Sequence, residues 1–127
     1  MKIVALIARI LLGLVFFVFG LNGFLHFIPA GPMPTGLAGQ FSIALMQSHY
    51  YVVVFAVQLL GGVLLLVNRY VPLALTILGP VIVNILCFHL FLLRTGLPLA
   101  LVVAILWAIL AFRHRQAFSG IFVQGTQ

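Results

Sequence analysis

Setting aside Thr76, whose hydroxyl can bond its own helix, five polar side chains fall within otherwise apolar runs of this sequence: Asn22, His26, Gln58, Asn84 and His89. Their chemistry is hydrogen bonding. An amide offers two N–H donors and an acceptor oxygen, and a neutral imidazole offers one of each. Inside hydrocarbon such groups are costly, so each calls for a partner or a ligand. Amides on adjacent helices can bond each other and hold a bundle together. The same groups can also hold the carbonyl or hydroxyl of a bound molecule. Two histidines can ligate a haem iron, a weaker reading here because no haem motif accompanies them. Two histidines without a carboxylate are too few for a metal site.

Other chemistry is excluded outright. The 127 residues contain no Asp and no Glu. No side-chain carboxylate exists for acid–base pairs, hard-metal sites or ion pairs with Lys and Arg. Cys87 is the only cysteine, so an internal disulfide and a dithiol motif are both ruled out. It lies in an apolar run and reads as a small buried hydrophobe. No residue is singled out as catalytic.

The elements that must position these side chains follow from composition. The chain is 65% hydrophobic and only 5% charged. A soluble domain covers itself with about a quarter charged residues, so this chain uses lipid as its solvent. Four apolar runs are long enough, or nearly so, to cross a bilayer, which takes about 20 residues. They predict helices at about 3–28, 50–67, 71–93 and 97–112 in one domain, 1–127. The fold class is all-α, a four-helix transmembrane bundle. Asn68-Arg69-Tyr70 makes a tight turn between the second and third spans. In helix 1, Gly13 and Gly20 stack on one side and permit close contact with a neighbour. Asn22 and His26, at i,i+4, share another face.

The connection 28–49 opens on the Pro-rich Pro29–Pro34, which regular helix does not accommodate. From Gly36, Leu37, Phe41, Ala44 and Leu45 recur at helical spacing, with Thr35 placed to cap. This predicts a short amphipathic helix between helices 1 and 2, on the extracytoplasmic surface. A plain structured loop fits so short a pattern equally well. The tail after Phe112 combines Arg113 and Arg115 with Phe118, Ile121 and Phe122, which suits a membrane surface.

Orientation comes from the basic residues. Lys2, Arg9, Arg69, Arg113 and Arg115 fall on one side of a four-span chain and only Arg94 on the other. Such a bias places both termini in the cytoplasm. The net charge of +6 is spread singly at the ends of apolar runs, which argues for lipid and against nucleic acid. Trp107 lies where an interfacial belt is expected. At a rise of about 1.5 Å per residue, Gln58 and Asn84 lie at nearly equal depth, about 12–14 Å below the outer interface. They are the simplest amide pair. His89 is five residues beyond Asn84, about 140° round the helix.

Several segments together resemble the DoxX family of small bacterial membrane proteins. They are Gly20-Leu-Asn-Gly-Phe-Leu-His-Phe27 with Pro29 and Pro32-Met33-Pro34, Gln58-Leu-Leu-Gly-Gly62, Asn68-Arg69-Tyr70 and Pro80-Val-Ile-Val-Asn-Ile-Leu-Cys-Phe-His89. The resemblance covers nearly the whole chain. It implies a four-helix protein of the bacterial inner membrane, some of whose relatives are subunits of quinone-linked oxidoreductases. The positions it carries over are Asn22, His26, Gln58, Asn84 and His89. One expectation is a small redox subunit that binds quinone, or less readily haem, near the outer leaflet, lined by Phe24, Phe27, Phe88 and Phe91. Its partners would be the bilayer and a redox subunit or further copies of itself. The alternative is a non-catalytic scaffold or accessory subunit. A small-solute permease is least favoured, since four helices leave little room for a channel.

Overall fold

The computed structural model describes residues 2–28, 33–122 and 124–125. Among these residues the chain is all helix and turn. The elements are α1 (Lys2–Leu25), α2 (Gly36–Gln47), α3 (Tyr50–Leu66), α4 (Val71–Cys87) and α5 (Leu97–Arg113). A π-helical turn, Phe88–Leu92, extends α4, a 3₁₀ turn, Arg94–Gly96, leads into α5, and a 3₁₀ segment, Arg115–Phe122, follows α5. Lys2–Leu25, Val71–Leu92 and Arg94–Arg113 are long and apolar enough to cross a membrane, and α3, taken with α2, makes a fourth candidate. By length and composition this is a membrane protein.

In α1 the buried positions are Ala5, Ala8, Leu12, Phe16, Gly20 and Gly23, with Gly13 beside Leu12. Steps of three and four make one stripe down a helix. The other faces carry exposed Leu6, Ile10, Leu14 and Phe19, which in water would be a liability and in lipid is not. The helices close a ring: α1 packs on α3 and α5, and α4 packs on the same two. Leu12, Phe16, Leu65, Leu75, Leu78 and Leu110 fill its centre.

The α1–α3 contact is the tightest because glycines make it. A Cβ on Gly20 would lie 2.8 Å from the Leu59 nitrogen, and one on Gly62 would lie 2.5 Å from the Phe17 nitrogen. Gly13 faces Leu65 and Leu66, so Gly13 and Gly20 do share the packing side.

The short helix at 36–47 is real, and it meets α3 at 87°. If α3 crosses the bilayer, α2 therefore lies along its surface. Thr35 occupies the N-cap position without a side-chain cap bond. The break between the two helices falls at His49, whose φ of 61° is left-handed. The expected reading of Pro29–Pro32 falls outside the described residues, and only Met33 and Pro34 of that stretch are seen.

Other boundaries differ for local reasons. Helix α1 ends at Leu25, not 28, because His26 turns left-handed (φ 54°). The Asn22 side-chain oxygen then accepts from the Ile28 N–H at 2.7 Å, a side-chain solution to the helix-end problem. The turn after α3 uses left-handed Asn68 and Tyr70. The Arg9 guanidinium donates to the Leu65 and Leu66 carbonyls. A cation there answers the negative end of α3. Trp107 is no loose interfacial ring. Its Nε1 donates to the Leu75 carbonyl at 2.9 Å and ties α5 to α4. Cys87 is exposed on the outer surface rather than buried.

Candidate functional site

The half of the bundle nearest α2 contains a cavity of about 650 Å³. Three elements build it. Helix α2 contributes Phe41, Ser42, Ala44, Leu45 and Ser48; α3 contributes Tyr50, Val54, Phe55 and Gln58; the α4 end contributes Val81, Asn84, Ile85, Phe88 and His89. The enclosure follows from the 87° bend, which folds α2 across the space beside α3 and α4. Phe41 from α2 reaches Phe88, with ring centroids 5.5 Å apart, so an aromatic contact joins the lid to the wall.

Three of the five candidate residues meet here: Gln58, Asn84 and His89. They do not bond each other. Asn84 donates its Nδ2 to the Pro80 carbonyl at 2.9 Å, one turn back on its own helix. The expected Gln58–Asn84 bond is therefore absent, although both line one cavity. A short polar side chain on a helix can satisfy itself on the i−4 carbonyl, and that local option wins.

Gln58 is left with its hydrogen bonding open. Only 7% of the residue is exposed, and among the described residues its amide enters no side-chain hydrogen bond. Yet among the described residues no fully enclosed side-chain polar atom lacks a partner. The amide therefore borders open space, and the space beside it is the cavity. A buried amide free to give two hydrogen bonds and accept others is the arrangement expected of a group awaiting a polar guest.

His89 is held by its neighbours. Its Nδ1 lies 3.1 Å from the Leu93 carbonyl oxygen. A carbonyl can only accept, so Nδ1 carries the proton and the neutral ring keeps Nε2 as an acceptor. Phe88 meets the imidazole edge-on, 5.2 Å between centroids. Gly96 sits so close that a Cβ there would collide with the ring. His89 also lies in the π-turn, where the Leu93 N–H reaches back five residues to the Phe88 carbonyl at 3.0 Å. Single π-turns are frequent at functional sites. The expected 140° separation from Asn84 does not keep His89 out, because the cavity is wide enough to include both.

Asn22 and His26 are not part of this cavity. Asn22 is committed to the end of α1, and His26 is exposed at the left-handed position after it. The two histidines thus do not share the cavity, which removes the motive for a bis-histidine haem. Of the expected aromatic lining only Phe88 is present; Phe24, Phe27 and Phe91 are exposed. Phe41 and Phe55 take their place. Both had a signal in the sequence: Phe55 is three residues before Gln58, on the same face, and Phe41, Leu45 and Ser48 make one stripe of α2.

Family models, curated proteins and solved structures yield no match to this chain. The site must be read from its own geometry.

Proposed function

We propose that this chain is a DoxX-like multi-pass protein of the bacterial inner membrane, a small subunit of a quinone-linked oxidoreductase. Its cavity would hold the quinone ring near the outer leaflet. The observation that carries the reading is Gln58: a buried amide with open hydrogen bonding, set in an apolar and aromatic cavity. Ligand sites commonly combine an apolar lining with a few placed polar groups. A quinone ring suits this set. The Gln58 N–H donors match a ring carbonyl, and the Gln58 oxygen and His89 Nε2 match the hydroxyls of the reduced form. Phe41, Phe55 and Phe88 supply aromatic contact. The bias of basic residues to the other end of the bundle supports cytoplasmic termini and an outer-leaflet cavity. Electrons would pass to or from a partner subunit.

A second reading keeps the fold and drops the ligand. Asn22 bonds the chain just past the end of α1 and Asn84 bonds its own helix, as residues of a purely structural accessory subunit would. Titration of the detergent-solubilised protein with a short-tailed benzoquinone separates the two. Saturable binding is expected, weakened about tenfold by Gln58→Leu, the worth of about one hydrogen bond. His26→Phe should bind as the parent does. Binding that is absent in the parent, or indifferent to Gln58→Leu, would leave the accessory reading.

A further inference from the structure

The opposite end of the bundle holds a second cavity, of about 210 Å³, lined by Lys2, Ala5, Leu6, Arg9, Asn68, Leu110, Arg113 and His114. Three permanent cations and an imidazole face one small space. Elsewhere such a cluster would be balanced by carboxylates, but this sequence has no Asp or Glu to offer. The negative end of α3 engages one guanidinium nitrogen of Arg9. Among the described residues Lys2 and Arg113 enter no side-chain hydrogen bond. Arg115, by contrast, is occupied by the Phe112 carbonyl and ring. Burial first, and Arg113 second, push the His114 pKa below its ordinary value, in keeping with the cations gathered beside it. No Asp or Glu side chain can supply a counter-charge, so an anion from the surroundings is the natural partner.

We infer that this cavity binds the phosphate of one anionic phospholipid. Like-charged groups converging on a cleft make an anion site, and basic pockets between spanning helices at the cytoplasmic face suit lipid headgroups. A water occupies about 30 Å³ of liquid, so the space admits a phosphodiester with some of its waters. Lipid is favoured over free phosphate by the flank. Ile3, Leu6 and Phe112 lie exposed on the same end and present apolar surface to acyl chains. Asn68 adds a neutral donor for a headgroup hydroxyl. The inference rests on the membrane reading and is independent of the quinone proposal.

Native mass spectrometry of the whole protein with an equimolar mixture of phosphatidylglycerol and phosphatidylcholine of identical chains tests it. One phosphatidylglycerol should be retained preferentially. In detergent, phosphatidylglycerol should raise the melting temperature, while phosphatidylcholine or inorganic phosphate should not. Lys2→Gln and Arg113→Gln should each weaken retention about fivefold, from the usual worth of one basic residue at an anionic surface. Both side chains are exposed and unbonded, so both variants should fold. Arg69→Gln, basic and at the same end but outside the cavity, should retain lipid as the parent does. Equal retention of the two lipids, or an equal loss with Arg69→Gln, would overturn the site. An equal response to inorganic phosphate would overturn the lipid assignment.

Discussion

Two glycines within the bundle should respond differently to the same added methyl group. In Gly62→Ala the new Cβ would lie 2.5 Å from the Phe17 nitrogen and 3.0 Å from the Gly13 oxygen. Both are backbone atoms, and they cannot rotate away as a side chain can. Helices α1 and α3 must part by roughly 1 Å to restore van der Waals contact of about 3.5 Å. Overpacking of this kind costs about 1–3 kcal/mol, offset in part by the roughly 1 kcal/mol by which Ala favours helix over Gly. A net loss of up to about 2 kcal/mol follows. In Gly79→Ala the nearest atom beyond the neighbouring residues is Trp107 Cζ2 at 3.4 Å, an ordinary contact. There the helix preference of about 0.5–1 kcal/mol is opposed by crowding of the new Cβ against the following Pro80 ring, so stability should change little. Reversible unfolding of both variants in mixed detergent, followed by circular dichroism, gives the two magnitudes. If Gly62→Ala costs no more than Gly79→Ala, glycine-mediated contact is not what brings α1 against α3.

Other consequences can be checked alongside. Trp107→Phe removes the N–H that bonds the Leu75 carbonyl and should cost about 0.6–1.7 kcal/mol in the same assay, the range of interhelical bonds in membranes; no change would mean the bond is idle. His114 has a folded pKa below its unfolded value of 6.5, so the unfolded chain binds more protons in the interval between them. Stability should therefore fall as pH drops through and below 6.5, and level off beneath the folded pKa. Lys2 and Arg9 from α1 face the same cavity as His114 and Arg113, and they act in the same sense. Melting curves of the parent and His114→Gln between pH 7.5 and 5.5 should diverge in that direction, and parallel curves would refute it. Reporter fusions after Asn68 and after Arg115 should read as cytoplasmic, and one within α2 as external.

Much of the fold was legible because lipid imposes so few solutions. Four apolar runs without acids had to become helices, and the Arg69 turn and the glycine stripe of α1 appear where the pattern puts them. Local backbone chemistry was not legible. The spacing of Asn22 and His26 assumed an unbroken helix, but the helix stops between them. The equal depth of Gln58 and Asn84 was a sound inference about position and a poor one about partners. Depth places two side chains at one level, whereas the Pro80 carbonyl one turn back is always within reach of Asn84. The cavity itself was hidden because it depends on the angle between α2 and α3. That angle is set by a left-handed His49, a conformation few non-glycine residues adopt. The partners of Arg9 and Trp107 are backbone carbonyls, which carry no sequence signal.

Photolabelling maps the cavity most directly. A short-tailed azidoquinone would be irradiated with the intact protein in detergent, and labelled peptides from chymotryptic digestion identified by mass spectrometry. Label should concentrate in segments 41–58 and 81–89, compete with unlabelled benzoquinone, and fall in Gln58→Leu and in Gly96→Ala, where the added methyl displaces His89. Label spread over the outward-facing residues Val102 and Ile105, or gathered at 24–28 around His26, would contradict a quinone site between α2, α3 and α4.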